Sequence, residues 1–173
     1  MKALTLVTAL LLFLACGPRD PNVDLTTGED ELAILATDHP IDTSRMKFHQ
    51  MYYVPIYSDI YINLNDQNAL LAATLSIRNT SFNDSLFIKR IDYYDTEGSL
   101  VRPYIEGTIG LPPMGTVNYV VDKNDDTGGP GANFIVDVYA VDPGVRPLLE
   151  AIMVGQHGNR SFSFLTEGFP VDQ

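Results

Sequence analysis

The sequence predicts an all-β protein: an antiparallel β-sandwich of immunoglobulin-like kind with about eight strands. Three observations carry this. From Met51 onward, apolar and polar residues alternate along most apolar stretches. No stretch of that region holds a helical period over ten residues, and turn residues recur about every 8 to 15 residues. The chain also carries nine Tyr and eight Phe with no Trp, an aromatic load suited to a pleated, half-buried surface.

The first segment, 1–15, reads as a signal peptide. Lys2 supplies its positive start, and residues 3–15 are apolar apart from Thr5 and Thr8. The run is shorter than the roughly 20 apolar residues that a membrane-spanning helix needs. It closes on Leu10-Leu11-Leu12-Phe13-Leu14-Ala15-Cys16-Gly17, with small residues on both sides of the one cysteine. This is the pattern of a bacterial lipoprotein signal, departing from it at Phe13, where such sites usually carry Leu. Cys16 is then the lipidation site, and acyl chains worth about 0.8 kcal/mol per buried methylene hold the protein to a membrane. With one cysteine no intrachain disulfide forms, so the fold rests on its core. Gly17 lacks the Asp that retains many lipoproteins in the inner membrane of enteric bacteria, which favours the outer membrane.

Residues 16–47 read as an acidic tether. Pro18, Pro21 and Pro40 interrupt any helix, and Asp20, Asp24, Glu29, Asp30, Glu31, Asp38 and Asp42 repel one another and extend the chain. One apolar patch, 32–36, is open to two readings, a helical turn or an edge strand docked on the body. The whole chain has a formal charge of −11, and loss of Lys2 with the signal makes it −12. Such a body repels nucleic acid and anionic headgroups and leaves basic partners or Ca²⁺ as attractive ones.

Residues 48–173 form the sandwich domain. Residues 52–62 are β-branched and aromatic, with Pro55 pointing to an edge position. Leu71, Ala73, Leu75 and Ile77 mark one face of the next strand. A polar turn, 79–85, leads into a strand over 86–95, and Thr96-Glu97-Gly98 closes a hairpin into Leu100. Residues 110–115 read as a loop, and Val117, Tyr119 and Val121 as a strand face. After a long turn-rich loop, 122–133, come the faces of Phe134, Val136, Val138 and Ala140, of Leu149, Ala151 and Met153, and of Phe162 and Phe164. No Cys…Trp…Cys spacing marks a true immunoglobulin domain.

Four runs taken together resemble a known family. They are Ala73-Thr74-Leu75-Ser76-Ile77-Arg78-Asn79-Thr80, Asp92-Tyr93-Tyr94-Asp95-Thr96-Glu97-Gly98, Leu111-Pro112-Pro113-Met114 and Asp126-Thr127-Gly128-Gly129-Pro130-Gly131-Ala132-Asn133-Phe134. The family is the uncharacterised bacterial DUF3124, and the likeness covers about 52–168. It implies one domain, a bacterial source and an envelope location, and it brings no catalytic residues.

Four constellations are candidates for function. In the 122–133 loop, Asp122, Asn124 and Asp126 stand at the opening spacing of a calcium loop, and hard oxygens suit Ca²⁺. The glycine falls one place late and Asn133 stands where a bidentate Glu belongs, so this is no EF-hand. The same loop is open to reading as a partner-binding loop, through Asp126, Gly128, Gly129, Gly131 and Asn133, or as a plain connection with solvated carboxylates. The second constellation, Asp92, Asp95 and Glu97, offers carboxylates for glycoside hydrolysis, but Asp92 and Asp95 point to opposite faces of a strand. The third is Tyr53, Tyr57 and Tyr61, odd-numbered positions that would share an aromatic face for sugars or peptides, or else fill the core. The fourth is Asp84-Ser85-Leu86, a pattern for bacterial O-glycosylation at Ser85 in an exposed turn.

Catalytic parts are scarce. His39, His49 and His157 have no metal-ligand spacing, and neither a nucleophile elbow nor a phosphate loop is present. The expectation is therefore a lipid-anchored cell-envelope protein acting as a non-catalytic binding or assembly module, its partner an envelope protein or glycan. The alternatives are a hydrolase of envelope polymers and a Ca²⁺-stabilised module.

Overall fold

The computed structural model describes residues 41–62 and 69–172. The expected signal, Cys16, the expected tether as far as residue 40 and the 32–36 patch lie outside the described residues. Ahead of the sheets stands a single 3-10 turn, Thr43–Arg45, capped by the Asp42 carboxylate on the Ser44 amide at 3.1 Å.

Eleven strands follow among the described residues: β1 (Phe48–Pro55), β2 (Asp59–Ile60), β3 (Ala69–Arg78), β4 (Leu86–Tyr94), β5 (Leu100–Pro103), β6 (Ile109–Leu111), β7 (Thr116–Val121), β8 (Asn133–Ala140), β9 (Leu148–His157), β10 (Arg160–Glu167) and β11 (Phe169–Val171). They form two antiparallel sheets. The larger runs β11-β1-β8-β4-β5, with β6 also on β4; the smaller runs β10-β9-β3-β2, with β7 also on β3. The expected all-β sandwich is what forms.

The strands beyond the predicted eight are the short ones. The 52–62 stretch is two strands in different sheets, because the chain crosses between sheets after Pro55. The crossing is guided by Ile56 N on Ala132 O at 2.9 Å and Ser58 N on Gly129 O at 3.1 Å. Pro55 itself lies beyond the end of β11, whose pairing with β1 stops at Tyr53, so its missing N–H leaves no ladder bond broken on that side. The 110–115 loop is shorter than predicted, since Ile109–Leu111 pairs with Leu86, Phe87 and Ile88 of β4.

Alternation puts one side of each long strand into a shared core. Leu71, Ala73, Leu75 and Ile77 of β3, Val136, Val138 and Ala140 of β8, and Ala151 and Met153 of β9 are all buried. β4 follows the rule with one interruption. Leu86 and Ile88 point inward, the register with β8 shifts between Ile88 and Arg90, and then Ile91 and Tyr93 point inward.

The end of the sandwich where β3, β6 and β8 finish is tied together by one side chain. Asn79 is 2 % exposed, and its Nδ2 donates to the carbonyls of Asp84 at 2.8 Å, Leu111 at 3.2 Å and Pro112 at 2.9 Å. Its Oδ1 accepts from Ser81 N at 3.0 Å. Its neighbour Thr80 donates to the Arg146 carbonyl, which adds the β8–β9 loop to the same knot. Ser85 ends this turn half-buried rather than exposed, because Leu86, directly after it, is a core residue.

Asn79→Ala removes this partner from four backbone groups at once. We expect it to lower unfolding stability by about 2–3 kcal/mol in urea titrations, because buried polar groups left unpaired carry their full desolvation penalty.

Candidate functional site

The 122–133 loop is not a free connection. Tyr93 of β4, Tyr104 after β5, Tyr119 of β7 and Phe134 of β8 form an aromatic group, with centroids 5.3 Å apart for Tyr104–Phe134 and 5.5 Å for Tyr104–Tyr119. The Arg102 guanidinium lies over Tyr93 and Tyr104, 5.2 and 5.1 Å from the ring centroids, and donates to Tyr104 Oη and to the Asp125 carboxylate. Burial alone would raise the pKa of Asp125, but hydrogen bonds from Thr127 and Arg102 outweigh it and hold the carboxyl below its ordinary value. The loop thus reaches the sandwich through Asp125, a residue outside every sequence-predicted set.

The glycines of the loop serve packing. A Cβ on Gly128 would lie 1.9 Å from Tyr93 Oη, which is itself bonded to the buried Ser58 Oγ at 2.7 Å. Gly129 has φ +69°, and Gly131 N donates to Thr96 Oγ1 at 2.9 Å. Asn133 is buried and starts β8, while Asp126 is exposed. Of the candidate calcium ligands, Asp122 accepts from the Asn124 amide at 2.8 Å, a local turn contact. Among the described residues no group of three or more His, Cys, Asp or Glu side chains is placed to hold a metal ion.

The predicted tyrosine face does not form. Tyr53 lies in the larger sheet against Phe169 at 5.2 Å, while Tyr57 lies beyond the crossing against Phe164 of the smaller sheet at 5.7 Å. Tyr61 is 69 % exposed. Odd numbering fails here because the change of sheet after Pro55 breaks the strand on which the shared face depends. The acid cluster also separates. Asp95 caps Ser99 N at 2.7 Å in the hairpin and Glu97 is exposed, whereas Asp92 turns to the outer face of the larger sheet.

That outer face holds the candidate site. Register places Met51 of β1, Asp137 of β8 and Arg90 of β4 in one row, flanked by a row with His49 and Tyr139 and a row with Tyr53, Ile135 and Asp92. His49 Nε2 meets Asp137 Oδ1 at 2.7 Å, and its ring stacks on Tyr139 with centroids 4.2 Å apart. Tyr139 Oη donates to the other oxygen of Asp137 at 3.3 Å. Arg90 stands 3.5 Å from Asp92 through Nε and 3.4 Å from the Met51 sulfur through its terminal nitrogen. Lys89, on the bulge, reaches to 5.8 Å from the Tyr139 ring.

Two features distinguish this face from an ordinary solvated one. Asp92 and Asp137 are each only 8 % exposed although they stand on the outer side of the sheet. Burial pushes the Asp92 carboxyl up, against the opposing pull of Arg90. Between Met51, Lys89, Arg90 and Asp137 lies an open hollow of about 360 Å³, and beside it a second of about 220 Å³ is lined by His49, Gln50, Met51, Val171 and Asp172. A rim with ammonium, guanidinium, carboxylate and thioether groups offers donors and acceptors to a polar ligand. The signal for these residues is present in the sequence, since Ile135, Asp137 and Tyr139 are the alternate positions of the β8 apolar run. Only the register of three strands shows that they meet His49 and Arg90.

Comparison with known proteins gives two findings. A family model described as "Protein of unknown function (DUF3124)" matches residues 49–171. A solved structure described as "Crystal Structure of Thermotoga maritima 1070" is similar at 15% identity, over 69% of this chain and 92% of that one, with a TM-score of 0.40. No curated protein matches the chain.

Two variants test these contacts. Gly128→Ala forces its methyl into Tyr93 and should lower stability by about 2 kcal/mol or more, read as an earlier urea midpoint. Asp92→Asn should raise the melting temperature at neutral pH. The native state raises the pKa of this acid, so its ionisation weakens the fold as pH climbs through that pKa. The gain should vanish in acid, where the wild-type carboxyl is already protonated.

Proposed function

Since the chain belongs to the DUF3124 family of proteins of unknown function, we propose a function from the molecule itself: a non-catalytic binding module of the bacterial cell envelope, held to a membrane by lipid on Cys16. The outer membrane is the favoured one, because Gly17 lacks the inner-membrane retention signal. The anchor rests on the sequence pattern that ends at Cys16. The binding role rests on the polar cluster of the larger sheet, and above all on its two nearly buried carboxylates. Holding Asp92 and Asp137 at 8 % exposure in the middle of an outer face costs desolvation that a plain surface would avoid. Pairing with His49, Tyr139 and Arg90 offsets part of that cost, and a ligand that meets Arg90 and Asp137 accounts for the rest.

The partners of His49 favour binding over catalysis. One ring nitrogen is bonded to a carboxylate, and one ring face is covered by Tyr139. A hydrolytic triad pairs its histidine with a carboxylate in the same way but sets the other ring nitrogen on a hydroxyl or thiol nucleophile, and among the described residues none is bonded there. The open form of the hollows suits an extended polar partner, an envelope glycan or a protein surface, more than a small molecule enclosed on all sides.

Cys16→Ser should move the protein from the membrane fraction to the soluble one, as followed by fractionation and immunoblot. For the binding face, the lipidated chain in detergent is titrated with soluble cell-wall glycan fragments and used to capture envelope proteins from the same extract. The partner found should bind Arg90→Ala and Asp137→Asn at least about tenfold more weakly, a loss of about 1.4 kcal/mol. Unchanged affinity in both variants would place the ligand elsewhere.

A further inference from the structure

Exposed apolar side chains stand at both ends of the sandwich, Tyr61 and Leu100 at the far end among them, and the ends differ in the charge around these side chains. The end knotted by Asn79 presents apolar side chains on loop tips. Phe82, in the β3–β4 turn, is 80 % exposed, and Met114, in the β6–β7 turn, is 57 % exposed. The two turns are joined by Met114 N on Ser81 O at 3.0 Å, and Pro112 and Pro113 beside Met114 are exposed as well. Met114 has φ 61°, the left-handed region that favours glycine, and is the one described non-glycine residue there. A bulky apolar residue held at such a position, pointing to water, adds strain at a site where Gly or Asn would be the relaxed choice.

Charge divides along the same axis. The loops and chain terminus of this end carry Arg45, Lys47 and Arg146, against Asp42, Asp84, Asp142 and Asp172. The loops of the far end carry Asp95, Glu97, Asp122, Asp125 and Asp126, against Lys123. In a chain of formal charge −11, the Asn79 end is therefore where an anionic surface is least repelled.

The third observation is where the chain comes in. Lys47 N bonds to Ala140 O at 3.0 Å, and Phe48 and Leu86 both pair with Ala140. The segment leading from Cys16 therefore joins the sandwich at the Asn79 end. We propose that this end docks on the headgroup layer of the phospholipid bilayer that holds the anchor, with Phe82 and Met114 inserted and Arg45, Lys47 and Arg146 around them. The sandwich then stands upright on the membrane with its acidic end outward and the face of His49, Arg90 and Asp137 exposed at the side. This rests on the anchor proposed at Cys16, since lipidation supplies the stable attachment and the two side chains only orient the body.

The chain has no tryptophan, so Phe82→Trp supplies a single reporter, and Glu97→Trp supplies its counterpart at the far end. Each lipidated full-length variant is reconstituted in vesicles of phosphatidylethanolamine and phosphatidylglycerol with brominated acyl chains. We expect the brominated lipid to reduce the Phe82→Trp emission about twofold or more and to leave the Glu97→Trp emission unchanged. Adding Met114→Gly to Phe82→Trp should weaken that quenching several-fold without lowering the melting temperature, because glycine takes a φ of 61° freely. Protein that floats with the vesicles but shows no quenching at position 82, or equal quenching at both positions, overturns the docking and leaves the anchor standing. Protein that does not float overturns the anchor and the docking together.

Discussion

The side-chain amide of Asn79 answers four backbone groups, and much of the molecule follows from that contact. A sandwich of short loops has ends in which carbonyls run out of ladder partners, and turns alone do not satisfy them. Here one buried amide accepts from the turn that follows β3 and donates to that turn, to the last residue of β6 and to Pro112. Its backbone N–H adds the Gly115 carbonyl at 2.9 Å. The β3–β4 and β6–β7 connections are thereby held as one surface. That is what allows exposed residues such as Phe82 and Met114 to keep fixed positions relative to each other.

The far end is held by a different kind of contact. Arg102 lies over two tyrosine rings and ion-pairs with Asp125, so a charged group that would otherwise favour solvent becomes the tie between loop and core. Burial raises the pKa of Tyr93 and Tyr104, with the hydrogen bonds they share with Ser58 and Arg102 partly offsetting it, so both phenols stay protonated where they pack. Amide bonding fixes one end and aromatic packing the other, and neither uses the outer face of the larger sheet.

The long strands were legible in the sequence because each has one apolar face, and period-two alternation marks it whatever the partner. The short strands were not. β2, β6 and β11 have two or three residues, too few for any period, and they exist only because a neighbouring long strand has an open edge. The same limit explains the candidate site. His49, Arg90, Asp92 and Asp137 are unremarkable one by one and far apart in the chain, and pairing across three strands is what gathers them. The loop 122–133 was visible as a feature, but its character was not. Glycines that look like freedom in a sequence are close-approach positions against Tyr93 and Thr96. The tyrosine face failed for a related reason, since a change of sheet within a run leaves no trace in its composition.

The register shift in β4 has a consequence for how the sheet finds its pairing. Before it, the even-numbered residues Leu86 and Ile88 face the core; after it, the odd-numbered Ile91 and Tyr93 do. A regular strand that slips by two residues keeps its apolar side inward and forms a plausible wrong sheet. A strand with two opposite phases has no such escape. Any slip that keeps the bulge out of place turns either the first pair or the second to solvent, so mispaired forms forfeit roughly half the apolar contact of this strand. The one extra residue works as a key that admits β8 at a single alignment, and it sets Arg90 and Asp92 outward in the same act.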